Sequence, residues 1–133
     1  MRSRTAVRSA VVTAVTLLGL TAATAPGLTA PAVPAGLLLT VSGDSDTWIR
    51  GVHLLCEPAP GGQHPRAVDA CYSLDQVKGD LDALRVDPRL CTLEYAPVTV
   101  TARGEHRGRA IAWSKKFGNY CAMASATGPI FDF

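Results

Sequence analysis

Pro97–Arg103 reads PVTVTAR, and Arg109–Lys115 reads RAIAWSK a few residues later. The first run alternates Val98, Val100 and Ala102 with Thr99, Thr101 and Arg103, which is the period of a strand with one face buried. The second alternates again, and His106-Arg107-Gly108 between them has the composition of a hairpin connection. Two strands joined this closely run antiparallel, and the rest of the domain is read outward from them. Upstream, Leu37–Val41 (LLLTV) is a β-prone run closed by Ser42-Gly43-Asp44, and Trp48–Cys56 (WIRGVHLLC) is a second strand with imperfect alternation. Glu57–Pro65 carries three prolines and two glycines and reads as a loop. Arg66–Val77 then changes period. Ala67, Ala70, Cys71, Leu74 and Val77 recur at spacings of three and four and share one helix face. Gly79 suits the stop, and Leu81, Ala83 and Leu84 suit one further turn. Downstream, Cys121–Ala124 and Pro129–Phe133 (PIFDF) read as shorter strands. Antiparallel strands with a segregated helix make the class α+β. No internal repeat or linker interrupts residues 36–133.

The chain has 133 residues with 13 Lys plus Arg, 11 Asp plus Glu and a formal charge of +2. That length suits one domain, and 47% hydrophobic with 18% charged residues is a folded composition. An excess of two charges excludes a strongly basic nucleic-acid binder. The excess is also misplaced. Arg2, Arg4 and Arg8 precede every acidic residue, the first of which is Asp44, so residues 36–133 carry a net charge of −1. Met1 to Arg8 forms the basic end of an export signal, and the uncharged run Ser9–Leu20 forms its apolar centre. This centre is shorter than the roughly 20 residues of a membrane-spanning helix, the competing reading. Cleavage after Ala23 or after Ala35 is compatible with the sequence, and Pro26, Pro31 and Pro34 make the intervening segment extended. Residues 1–35 are therefore read as signal peptide and leader, and the mature protein as secreted and free of the membrane.

Export changes the meaning of Cys56, Cys71, Cys91 and Cys121. An even set in an oxidising compartment reads as two disulfides. No C-x2-C knuckle is present, so a zinc site is disfavoured and neither metal nor cofactor is expected. Three pairings are open on the cysteines alone, with a slight lean toward the sequential one. His53, His64 and His106 fall in no H-E-x-x-H pattern, and G-x-S-x-G and P-loop signatures are missing, so enzymatic chemistry has no local support. Arg103, Arg107, Arg109, Lys115 and Lys116 form a basic cluster interrupted by Glu105. It reads as a solvated hairpin face rather than a polyanion site.

One segment remains: Leu90-Cys91-Thr92-Leu93-Glu94-Tyr95-Ala96-Pro97. Its residues support either an extended loop exposing Leu93 or an edge strand with Leu93 partly buried. Here the chain resembles the Streptomyces-type subtilisin inhibitors over residues 36–133. The resemblance is carried by Leu55-Cys56 with Pro58, Gly62-Gln63-His64-Pro65, Ala70-Cys71, Gly79-Asp80-Leu81 with Leu84, and Cys91 through Tyr95 with Pro97-Val98. Gly104, Gly108-Arg109, Phe117, Asn119-x-Cys121-x-Met123 and Ile130-Phe131-Asp132-Phe133 complete it.

The resemblance implies a five-stranded antiparallel sheet with two short helices, disulfides Cys56–Cys71 and Cys91–Cys121, a homodimer, and inhibition of serine proteases. It places the reactive bond between Leu93 and Glu94, within a loop of Leu90, Cys91, Thr92, Tyr95, Ala96 and Pro97, and gives Asn119 the task of supporting that loop. Leu93 at the specificity position implies a subtilisin-like or chymotrypsin-like partner, since a trypsin-like pocket would leave its carboxylate unpaired. Some residues depart from the family pattern. Thr92 stands where proline is common and Glu94 where small or apolar residues are usual, and their side chains are expected to regain rigidity by accepting hydrogen bonds. His106 replaces a tryptophan and Trp113 a tyrosine in the sheet through which the family dimerises, so both bear on the dimer. The loop between Val41 and Trp48 is also short, with no expected consequence. The rival expectation is a secreted binding or structural protein of the same fold that no longer inhibits.

Overall fold

Strand β1, Leu37–Gly43, sits at the centre of the sheet because its apolar side chains fall on alternate residues. Leu37, Leu39 and Val41 are buried, while Leu38 between them faces out. The computed structural model describes residue 27, residues 35–85 and residues 87–133. The chain divides into two units, residues 1–30 and 31–133. The sheet, its helices and both disulfides belong to the second. The export signal and its cleavage points lie outside the described residues, apart from the alternative cut after Ala35.

Four further strands complete an antiparallel sheet: β2 (Ile49–Leu55), β3 (Gly61–Gly62), β4 (Val98–His106) and β5 (Arg109–Phe117). Their order is β3-β2-β1-β4-β5. Register places Leu39 between Val52 of β2 and Ala102 of β4, and pairs Ala102 with Trp113 of β5. Val98, Val100 and Ala102 therefore point to the same side as Leu37, Leu39 and Val41, and all six are buried. Thr40 and Thr101 face the other side and share a 2.7 Å hydrogen bond. The β4–β5 hairpin closes through Arg107 and Gly108, both at positive φ, the conformation that matches the twist of two strands.

Helix α1, Ala67–Gln76, covers the apolar face with Ala70, Cys71 and Leu74. It ends as its glycine indicated: Gly79, at positive φ, donates its N–H to Leu74 O, closing the last turn. A 3-10 turn at Leu81–Ala83 comes next and buries Leu81. The second helix, α2, spans Tyr120–Thr127, and a 3-10 segment, Gly128–Phe131, buries Ile130 and Phe131 against α1 and the sheet. Burying side chains of this size stabilises by roughly 1.5–3 kcal/mol each.

The sheet has the five strands, two helices and two disulfides that the resemblance implied. Three local expectations are corrected. Cys121–Ala124 is helical, because the Asn119 side chain caps the helix by accepting from Ala122 N and the helix-favouring Ala122, Ala124 and Ala126 follow. Pro129–Phe133 is not a strand either. Pro129 opens a 3-10 turn in which the consecutive residues Ile130 and Phe131 are both buried. The fifth strand is instead the two-residue β3, inside the segment read as a loop.

His106 and Trp113 lie on the sheet face beneath the helices, opposite the face of Thr40 and Thr101. His106 is buried, with Nε2 2.9 Å from Asp75 Oδ1, and Trp113 packs on Phe131 at 5.9 Å between centroids. The basic cluster is dispersed and largely engaged. Arg107 grips Asp75, Lys116 pairs with Asp44, Lys115 with Asp82, and Arg109 donates to Lys78 O.

Candidate functional site

Between the 3-10 turn and β4 the described residues, 84–85 and 87–97, have no regular structure. Pro88 and Pro97 exclude helix around them and remove backbone donors. Leu90 and Leu93 are fully exposed, at 103% and 101%, and Tyr95 is 76% exposed. Isolated exposed apolar residues are ordinary, but three within six positions of one loop mark a contact surface. The choice between exposed loop and half-buried edge strand thus falls to the loop.

The loop is held by a few polar and covalent ties, and they converge on residues 118–125. Cys91 is bonded to Cys121 at the first turn of α2, Cα to Cα 5.6 Å. The Asn119 side-chain amide donates twice, to Thr92 O at 3.0 Å and to Glu94 O at 2.9 Å. One NH2 group therefore spans Leu93. Its own Oδ1 is fixed by Ala122 N at 2.8 Å, so the amide orientation is set by the helix cap. On the far side, Ala96 N donates to Gly118 O at 3.0 Å. On the near side, Asp87 N donates to Ser125 O at 2.8 Å, and the Ser125 hydroxyl donates back to Asp87 O. The sequence singled out Cys91, Cys121 and Asn119, whereas Asp87, Gly118 and Ser125 carried no signal of this role. The signal that could have found them is an alanine-rich helix capped by Asn119, which the reading of Cys121–Ala124 as a strand hid.

One expectation fails at the loop. Among the described residues no hydrogen bond reaches the Thr92 hydroxyl or the Glu94 carboxylate. The main-chain carbonyls at those positions take the support instead, both accepting from the Asn119 amide. Two nearby cations are paired with other carboxylates: Arg89 with Asp87 at 2.6 Å and Lys116 with Asp44 at 3.0 Å. Asp44 pushes the Lys116 ammonium above its ordinary pKa, with Tyr95 adding to the effect. Beside the loop runs an open groove of ≈ 520 Å³ whose lining includes Trp48, Thr92, Glu94, Pro97 and Asn119.

The arrangement is built to present a backbone segment. Its buried histidines are committed elsewhere. His64 Nδ1 accepts from Arg66 N and its Nε2 donates to Ile130 O, while His106 meets Asp75. Among the described residues, no group of three or more His, Cys, Asp or Glu side chains is arranged to hold a metal ion. No helix there is long and apolar enough to cross a membrane.

Comparison with known proteins identifies the family and the fold. Residues 33–119 match the family described as subtilisin inhibitor-like. The chain is 38% identical to a subtilase-type protease inhibitor of Streptomyces fradiae, over 99% of this chain and 98% of the relative. It is 42% identical to protease inhibitor SIL-V2 of Streptomyces orinoci, over 75% of this chain and 96% of that protein. Among solved structures it is similar to Streptomyces caespitosus sermetstatin, determined in complex with Bacillus licheniformis subtilisin. That likeness has a TM-score of 0.62 and 31% identity, covering 74% of this chain and 98% of sermetstatin.

Proposed function

The chain belongs to the subtilisin inhibitor-like family, a family of protease inhibitors rather than enzymes, and we propose that it inhibits subtilisin-like serine proteases through the loop at Leu93–Glu94. The observation that carries this reading is the paired hydrogen bond from Asn119 to Thr92 O and Glu94 O, on either side of a fully exposed Leu93. Leu93 enters the protease's apolar primary pocket, and the protease serine attacks the Leu93 carbonyl. Glu94 N is the leaving amine.

A loop already held extended loses little conformational freedom on binding, which raises affinity. If the bond is cut, Leu93 stays tethered through Cys91–Cys121 and the Thr92 carbonyl. Glu94 stays tethered through its own carbonyl and Ala96–Gly118. The two new ends remain close, so rejoining competes with release. Slow, reversible cleavage is the consequence.

The protein is read as exported after loss of its leader, residues 1–35, leaving residues 36–133 as the inhibitory domain. It pairs as a homodimer across the sheet face bearing Thr40 and Thr101. Titrating subtilisin with the purified domain tests the function. Stoichiometric loss of protease activity, with slow appearance of a new amino terminus at Glu94, is expected. Rapid loop cutting without inhibition would overturn it in favour of the non-inhibiting binder. Trypsin should be inhibited far less than subtilisin. Sedimentation of the domain checks the dimer.

A further inference from the structure

Glu94 is the only charged side chain between Leu90 and Pro97. It is exposed, and it has no ion-pair partner among the described residues. Arg89 pairs with Asp87 and Lys116 with Asp44, and neither pairs with Glu94. Its carbonyl is pinned by Asn119, so the residue's main chain does not shift to carry the carboxylate elsewhere. A protease that closes on Leu93 must therefore take an ionised carboxylate into its leaving-side pocket. A carboxylate removed from water without a partner is costly, whereas one that meets a cation recovers much of that cost and gains orientation.

We propose that Glu94 selects the partner: the loop is matched to serine proteases whose leaving-side pocket carries a lysine or arginine. This inference rests on the assignment of the reactive bond to Leu93–Glu94. Selection by charge acts differently from selection by Leu93, because it is sensitive to salt and to the sign of one group on the protease. It also gives the departure from an apolar residue at this position a use, since the same carboxylate that fits a cationic pocket disfavours neutral and acidic ones.

The test uses one subtilisin and a variant of it with a lysine introduced in the leaving-side pocket, each titrated with wild-type inhibitor, Glu94→Gln and Glu94→Lys. Wild type is expected to bind the lysine variant about tenfold tighter than the parent, an advantage that shrinks between about 50 mM and about 500 mM salt. Glu94→Gln removes the preference and binds the parent more tightly than wild type does. Glu94→Lys reverses the preference. Equal ratios for all three inhibitors, or a ratio unchanged by salt, would overturn the selection while leaving the inhibitor assignment intact. Inhibition of neither protease, or cleavage at a different bond, would overturn both. Thermal unfolding of the three inhibitors should coincide, since the Glu94 side chain has no hydrogen bond or ion pair among the described residues and its main-chain bond to Asn119 is kept in all three.

Discussion

The framework and the loop are held by opposite means. Leu74 and Leu93 are the same residue type, one with no exposed surface and the other with all of it exposed. The framework of sheet, α1 and the 3-10 segment is stabilised by many apolar contacts, none of which is decisive alone. The loop buries almost nothing. It is shaped by a disulfide and a handful of hydrogen bonds, most of them drawn from one short helix and the residues before it. Stability and function should therefore come apart under mutation more cleanly here than in a protein whose site lies in its core.

The largest separation is expected at the two leucines. Leu93→Asp should leave thermal unfolding unchanged and weaken subtilisin inhibition on the order of 1000-fold, because an ionised carboxylate enters an apolar pocket. Leu74→Ala should destabilise by about 2–5 kcal/mol in denaturant titrations, yet retain the inhibition constant where the domain stays folded. A Leu74→Ala protein that is folded but inactive would break the comparison.

The disulfides divide the same way. Replacing either Cys56 and Cys71 or Cys91 and Cys121 with serine should cost roughly 2–4 kcal/mol of stability. Only the second pair should turn the inhibitor into a readily cleaved substrate, measured as the rate at which the loop is cut. Comparable cleavage of both variants would mean that the loop depends on the whole framework.

Asn119 belongs to both regions, and its two ends can be tested apart. Asn119→Ala should cost about 1 kcal/mol through the lost helix cap and also speed loop cleavage. Asn119→Asp keeps an acceptor for Ala122 N but loses the donor to Thr92 O and Glu94 O. It should retain stability within about 0.5 kcal/mol while its loop is cut as fast as that of the alanine variant.

The smallest effect is confined to the framework. Asp75 is held below the ordinary carboxylate pKa, mainly by the hydrogen-bonded Arg107, with His106 contributing. The stabilisation from this depressed group is present above the ordinary carboxylate value and is lost as pH falls through the lower folded value. Acid unfolding should therefore be less steep in Asp75→Asn, which is less stable near neutral pH. Its inhibition profile with pH should follow wild type. A parallel change in inhibition would couple the two regions that otherwise separate.

Legibility followed the range of the interactions. The Val and Thr alternation of β4 and the three-and-four spacing of α1 are statements about near neighbours, and both elements formed close to where those residues put them. Cys121–Ala124 misled because four residues are too few to tell strand from helix. The deciding signals, Asn119 before it and Gly128 after it, lie outside the segment. Pro129–Phe133 misled because its aromatic content suits a strand, whereas the cleft beside α1 admitted Ile130 and Phe131 as adjacent residues. His106 and Trp113 were legible as sheet residues, but not the face each occupies. That face depends on register with β1.

Residues 36–133 by themselves determine the strands of the hairpin, the apolar face of α1, the position of the cysteines and the lone charge at Glu94, since each depends on residue type and local period. Tertiary structure decides that Leu93 stays outside and that Asn119, 25 residues beyond Glu94, donates to carbonyls on both sides of it. The same closure brings Ser125 under Asp87. The physical reason is geometric. Period reports which way a side chain points from its own element, whereas a hydrogen bond between distant residues exists only once the sheet and α2 have fixed both ends in space.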